Sequence, residues 1–354
     1  MPQMITRKPL EGERPWQQEL AKAITDPAVL LTMLEIDQTA FADGFAARKQ
    51  FPMRVPQPFI DRMVKGDPND PLLRQVLPLS DELITSNGYV SDPLGEHDTQ
   101  APGLMHKYQS RVLLILRGGC AVNCRYCFRR HFPYGDNSPS KQEWQQSFDY
   151  IAAHPEINEV LLSGGDPLMA NDQQLDWLLT QLEQIPHLRR VRIHTRLPVV
   201  IPSRITDALV CRLASSRLKA LMVLHINHAN EIDNALQRAA QKLKQAGIWL
   251  LNQSVLLQQV NDSADALCAL SERLFEADIQ PYYLHLMDKV AQAEHFDLPL
   301  ARVQALNKAM MQRLPGFLVP KFVREIAGQQ SKTPIDLGFN PFIEQTDLDF
   351  FQQS

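Results

Sequence analysis

From residue 111 onward, short apolar runs alternate with amphipathic stretches of helical length, and nothing else in this 354-residue chain restricts its fold as much. Six runs read as strands, at 111–116, 160–163, 191–195, 221–226, 249–257 and 281–286. Stretches 141–153, 172–184, 206–213, 231–245 and 264–276 lie between them with helical spacing. Apolar strands separated by helices predict a parallel sheet covered by helices, an α/β fold. Six units suit either an open doubly wound sheet or a partial barrel, and periodicity does not separate the two. In both, ligands collect at the C-terminal ends of the strands. A three-cysteine loop follows the first strand and Gly164-Gly165-Asp166 the second; His225 ends the fourth and Asp288 follows the sixth. Polar residues at successive strand ends therefore share one mouth.

Residues 1–105 are rich in proline and lack strand alternation. Stretch 15–24 reads as a helix, Asp26-Pro27 caps another at 28–34, and prolines from Pro52 to Pro78 punctuate short helical pieces. Stretch 91–103 reads as a long exposed connector. After the sixth strand come a helix at 300–313, closed by Pro315-Gly316, and a further strand within 317–323. A loop then leads through Ser331-Lys332 to a short tail. The expected organisation is a helical N-terminal section (1–105), a barrel (106–298) and a C-terminal segment (299–354).

Composition excludes several classes of function. The 36 basic and 40 acidic residues give a net charge of −4, which suits neither non-specific nucleic-acid binding nor an anionic membrane surface. No apolar run approaches the ~20 residues needed to span a bilayer. The N-terminus has no apolar stretch of the secretory kind. Five cysteines, three of them clustered, suit metal binding in a reducing cytoplasm better than a disulfide framework. Cys211 and Cys268 fall in helical stretches and are expected to be small buried residues.

The clustered cysteines are Cys120, Cys124 and Cys127, in Arg117-Gly-Gly-Cys-Ala-Val-Asn-Cys-Arg-Tyr-Cys-Phe-Arg-Arg130. Two metal readings fit. Structural zinc needs a fourth ligand, which would be His131 or a distant residue. An iron–sulfur cluster can use three thiolates and leave one iron open for a small chelating molecule.

C-x3-C-x2-C after the first strand of a β/α unit resembles the signature of the radical S-adenosylmethionine enzymes. Ser163-Gly164-Gly165-Asp166-Pro167 resembles their second motif, although many members have Glu where this chain has Asp166. Longer matches resemble the lysine 2,3-aminomutases: Pro102-Gly-Leu-Met-His-Lys-Tyr-Gln-Ser-Arg111, Cys124-Arg-Tyr-Cys-Phe-Arg-Arg130, His225-Ile-Asn-His-Ala-Asn-Glu231, Asn252-Gln-Ser-Val-Leu-Leu257 and Pro281-Tyr-Tyr283 with Asp288. The resemblance covers nearly the whole chain. It implies a partial (β/α)6 barrel, a 4Fe-4S cluster, S-adenosyl-L-methionine and pyridoxal 5'-phosphate.

Carried over residue by residue, the resemblance implies that Lys332 holds the pyridoxal phosphate and that Lys107, Tyr108 and Arg111 meet its phosphate. Lys107 stands where relatives have arginine. Arg129 would bind the carboxylate of a lysine substrate, and Asp288 and Glu325 its distal ammonium. Glu325 replaces an aspartate, so the charge is displaced by roughly 1 Å, enough to make free lysine a poor substrate. Ser163, Gly164, Gly165, Asp166, His225 and Gln253 would meet S-adenosylmethionine. Structural zinc is not expected: Ser263 replaces a ligand cysteine of fermentative relatives, and no cysteine follows Cys268. These departures resemble the bacterial branch that supplies (R)-β-lysine for elongation factor P. That branch implies a cytoplasmic enzyme, a flavodoxin-type reductase and a functional link to the lysylation ligase; a homo-oligomer is compatible with it. Two alternatives stand beside this reading, a metabolic aminomutase and a non-catalytic iron–sulfur carrier or sensor.

Overall fold

Nine strands form one sheet in strict sequence order, β1 to β9. The computed structural model describes residues 16–39, 41, 52–84, 86–96, 100–101, 103–132 and 141–337. Pro15, Pro102, part of the 91–103 connector and the tail from residue 338 lie outside them.

Three short helices come first: α1 (Trp16–Ala21), α2 (Pro27–Met33) and α3 (Gln57–Ile60). As its sequence signals, α2 is capped by Asp26, whose carboxylate accepts the Ala28 N–H at 2.9 Å. A hairpin follows, β1 (Leu104–Tyr108) and β2 (Arg111–Arg117), antiparallel with Tyr108 opposite Arg111. Strand and helix then alternate: α4 (Lys141–Ala153), β3 (Glu159–Gly164), α5 (Asp172–Glu183), β4 (Arg190–Thr195), the short α6 (Leu197–Val200), α7 (Asp207–Ala214), β5 (Lys219–Leu224), α8 (Asn234–Gln245), β6 (Trp249–Val255), α9 (Ala264–Glu276), β7 (Gln280–His285), α10 (Leu300–Arg313), β8 (Lys321–Arg324) and β9 (Thr333–Pro334). Strands β2 to β8 are all parallel, and β9 returns antiparallel to β8. The edges β1 and β9 do not pair with each other, so the sheet curls into an open barrel.

Local chemistry explains the regularity. The α5, α7, α8 and α9 N-termini are closed by Asn171, Thr206, Asp233 and Ser263, each accepting an N–H three residues on at 2.8–3.1 Å. The α8 helix buries Leu236, Ala239, Ala240 and Leu243, one stripe at helical spacing. Trp16, Leu30, Leu31 and Phe59 of the N-terminal helices share one apolar cluster with Leu114, Val160 and Val191 of the strands.

Three expectations need correction. Two further strands exist, β1 and β9, whereas the seventh parallel strand, β8, falls on the strand expected within 317–323. The 91–103 stretch is not exposed throughout: Leu94 and Glu96 are each 6% accessible. Cys211 is exposed, whereas Cys268 is buried as expected.

Candidate active site

The cysteine loop leaves β2 and is fixed by its neighbours. The Gly165 N–H donates to the Arg117 carbonyl at 2.7 Å and the Asp166 N–H to the Gly119 carbonyl at 3.0 Å. This approach requires glycine. A Cβ on Gly165 would lie 2.6 Å from the Gly119 oxygen, and one on Gly164, whose φ is +116°, 2.5 Å from the Arg117 oxygen. Cys120, Cys124 and Cys127 are all half-buried there. Burial, reinforced by the neighbouring Cys124, pushes the Cys127 thiol up to about 11 and, with Cys127 beside it, raises Cys120 well above its ordinary range. Three adjacent thiolates in such a place need a positive centre among them. Thiolates on one zinc at 2.3 Å would lie within roughly 4 Å of each other. Among the described residues no three His, Cys, Asp or Glu side chains gather around a single-ion position. Three thiolates with no fourth protein ligand are the donor set of an iron–sulfur cluster with one open iron.

A cavity of about 680 Å³ runs from this loop to Lys332, within the usual size range of small-molecule sites. His194, His225 and His285 line it with Nε2 atoms that are buried and without a hydrogen-bond partner; Gln253 Oε1 and Asp288 Oδ1 are in the same condition. Buried polar atoms without partners mark places where a ligand supplies the missing bonds. Burial, then Arg196, Arg129 and Lys332, pulls His225 down to about 4. Burial likewise holds His194 and His285 well below the usual histidine range, so the three imidazoles are neutral at pH 7. Burial raises the Asp288 carboxyl to about 7, with Lys332 opposing the rise.

Lys332 lies across a hairpin. Arg324 faces Thr333 in the β8–β9 ladder, so the next residues outward are Glu325 and Lys332. The Lys332 ammonium donates to Glu325 at 2.6 Å and stands 5.7 Å from the Tyr283 ring centre. The Tyr108 hydroxyl donates to the other Glu325 oxygen, a bond that spans the open edge between β1 and β9. Glu325, expected against a substrate ammonium, thus holds the ammonium of Lys332. Its carboxyl is lowered: burial opposes ionisation, but Lys332 and Tyr108 outweigh it.

Arg129 is buried and donates through Nε to Glu96 at 2.7 Å and through Nη1 to Ser163 Oγ at 3.0 Å and the Gly164 carbonyl at 3.3 Å. Lys107 meets the same Glu96 at 3.0 Å and the Leu94 carbonyl at 3.1 Å. Burial would raise the Glu96 carboxyl, yet Arg129 and Lys107 hold it at about 2. Lys107, expected at a phosphate, is therefore engaged by a carboxylate, while Arg111 lies 3.9 Å from the centre of the Tyr108 ring.

Asp166 lines the cavity, but its carboxylate is taken up by its neighbours. It accepts the Leu168, Arg196 and Leu197 N–H groups and the Thr195 hydroxyl, at 2.7–3.0 Å, and burial raises its pKa. It is a strut between the ends of β3 and β4.

Sequence reasoning missed Glu96, Arg192 and Arg196. Arg192 reaches Glu159 at 2.6 Å and keeps a buried, unpartnered Nε in the cavity wall. A signal was present: alternate β4 positions Arg190, Arg192 and His194 carry charge or imidazole between buried Val191 and Ile193. Inward-facing charges in an apolar strand mark a ligand-facing surface. Glu96 had no comparable signal.

Residues 114–268 match the Radical SAM superfamily. The chain is 54% identical over 323 residues to an L-lysine 2,3-aminomutase of Escherichia coli (strain K12), covering 91% of this chain and 94% of that protein. The chain belongs to the L-lysine 2,3-aminomutase family. A further member from Haemophilus influenzae is 53% identical, covering 92% of this chain and 96% of that one. The Clostridium subterminale member is 37% identical, with 81% of this chain matching 69% of that longer protein. As a member of the aminomutase family the chain is an isomerase, and its radical SAM region carries a 4Fe-4S cluster and S-adenosylmethionine. The three thiolates and the cavity beside them fit both. Among the described residues no helix is long and apolar enough to cross a membrane.

Proposed function

We propose that this protein is a pyridoxal-phosphate-dependent lysine 2,3-aminomutase that converts (S)-α-lysine to (R)-β-lysine for attachment to elongation factor P. One observation carries the reading: Lys332, Arg129 and Asp288 line the same cavity as the cysteine triplet. A pure electron carrier has no use for a half-buried lysine, a buried arginine and an aspartate with an unpartnered oxygen lining the cavity beside its cluster.

When bound, the cluster with S-adenosylmethionine supplies a radical that takes a hydrogen atom from the substrate, and pyridoxal phosphate supplies the conjugated system through which nitrogen moves to the next carbon. The chain's own residues hold and screen these groups. Arg129, braced by Glu96 and Ser163, offers the guanidinium suited to the substrate carboxylate. Asp288, once ionised, attracts the distal ammonium, and it would repel the second carboxylate of glutamate. Arg111 and Arg192 flank the cavity beside the Tyr283 phenol, opposing the rise in its pKa caused by burial and Tyr282, and together make a dianion site that does not need Lys107. Lys332 can bond a carbonyl carbon only as a free amine, and Glu325 is placed to take up its proton. The neutral histidines add no further cation to compete with the substrate ammonium at Asp288.

The branch assignment is supported by similarity, with identity of 54% to the E. coli relative and 37% to the clostridial one. The chain spans nearly all of the E. coli relative but only 69% of the clostridial one, and Glu325 stands where an aspartate is usual. Anaerobically purified protein should show the absorbance of bound pyridoxal phosphate, and Lys332→Ala should lose it. Absence of that absorbance in the parent favours the carrier reading. Labelled lysine should give (R)-β-lysine slowly. Deleting the gene should lower the mass of elongation factor P by the lysyl addition; an unchanged mass favours a metabolic aminomutase.

A further inference from the structure

The mechanism above gives no role to Arg196, a buried charge in hydrogen-bond contact with a cluster ligand. Its Nη1 donates to Cys124 Sγ at 2.8 Å and also to the Tyr126 hydroxyl. Its Nη2 donates to Gln75 Oε1 at 2.7 Å and Glu231 Oε2 at 3.1 Å. The residue is only 6% accessible. Glu231 is itself fixed by the Asn227 and His228 N–H groups at 2.9 and 3.1 Å. The arginine backbone is pinned by the Asp166 carboxylate, which accepts the Arg196 and Leu197 N–H groups at 2.8 and 2.9 Å. The guanidinium is thus preorganised from both ends, by the second motif through its main chain and by Glu231 and Gln75 through its fork.

We propose that Arg196 is a positioning and tuning residue of the iron–sulfur cluster, donating a charge-assisted hydrogen bond to the Cys124 thiolate and raising the cluster's reduction potential. The physical argument is direct. Adding one electron to the cluster makes its sulfurs more negative, so a fixed donor stabilises the reduced state more than the oxidised one. The donor at 2.8 Å from the sulfur lies in a buried setting, where its hydrogen bond acts more strongly than in water, while Glu231 balances part of the charge from the far side of the fork. The donor cannot be titrated away, because a guanidinium stays protonated throughout the working pH range. Asp166 acquires a second consequence: the last residue of the Gly-Gly-Asp motif acts on the cluster through Arg196, whose main chain it holds.

The inference rests on the cluster that the family carries and is independent of which amino acid is rearranged. It is tested on anaerobically reconstituted full-length protein carrying Arg196→Lys or Arg196→Gln. Iron and sulfide are counted first, and the midpoint potential is then read from the reduced-cluster EPR signal in a mediated dithionite titration. Both variants should load a cluster and titrate at a more negative potential, the glutamine variant furthest. A cluster-loaded variant at the parent potential, or above it, overturns the proposal. Should a variant fail to load, parent protein labelled with 15N-arginine decides. Pulsed EPR of the reduced cluster should show a 15N coupling, and its absence overturns the proposal. A merely structural arginine would change iron content or thermal stability and leave the potential of loaded protein unmoved.

Discussion

Glu96→Gln removes the charge that Arg129 and Lys107 share while keeping the side chain's shape. The displacement of this carboxyl from 4.5 to about 2 corresponds to about 3 kcal/mol of folding free energy at 1.36 kcal/mol per pH unit. The pair is buried, with side-chain accessibilities of 7% and 8% for Arg129 and Glu96, so solvent screening takes little from this figure. At about 2.1 cal/mol/K per residue the whole chain has an unfolding entropy of ~0.7 kcal/mol/K, so the melting temperature should fall by about 4 °C. The sign with pH follows from the direction of the shift. A carboxyl with a folded value below its unfolded 4.5 stabilises fully above pH 4.5 and loses that contribution as pH falls towards 2. The gap between parent and variant should therefore be constant from pH 5.5 to 8, measured by differential scanning calorimetry on cluster-loaded protein. A gap under 1 °C, or one that varies across that window, refutes the reasoning. Lysine KM should rise alongside, because Arg129 loses the partner that orients its fork.

Asp288 is raised above its unfolded 3.8 to about 7, so the folded state keeps a proton that the unfolded state releases, and stability declines as pH rises from about 4 to 7. Lysine KM should correspondingly rise as pH falls through 7, and Asp288→Asn should flatten that profile in steady-state assays from pH 6 to 8.5. Gly165→Ala should cost about 1–3 kcal/mol through overpacking, and it should lower iron content by displacing the Gly118-Gly119 backbone. Arg192→Gln should lower pyridoxal phosphate occupancy at limiting cofactor, read by absorbance, while iron content stays at the parent level.

Much of the fold was legible because burial on both faces leaves a plain mark. Residues 141–153, 264–276 and 300–313 coincide with α4, α9 and α10, and every parallel strand overlaps an apolar run. The hairpin partners β1 and β9 were not legible. They are short edge segments, Met-His-Lys-Tyr and Thr-Pro, whose pairing depends on a neighbour and not on their own pattern. At the site, clustered cysteines and paired glycines carry chemistry in their spacing. Glu96 does not, since a lone acid in a proline- and glycine-rich stretch looks solvated until Arg129 and Lys107 converge on it. Arg196 was hidden for a related reason: an arginine after a strand resembles a surface charge, and only the fold brings Cys124, Gln75 and Glu231 around it.

The Tyr108–Glu325 bond gives the barrel a slit with a latch. Every other strand boundary is a backbone ladder, and parting one would expose rows of amide groups. Parting β1 from β9 breaks no ladder, because none exists there. The latch lies one side chain from Lys332, and its acceptor is the carboxylate that pairs with that lysine. An event that neutralises Lys332 removes one of the two donors that hold Glu325 and leaves the Tyr108 hydroxyl to hold that carboxylate across the edge. Occupation of the lysine is thereby felt at the strand boundary held by side chains, while the cysteine loop keeps its own backbone anchors.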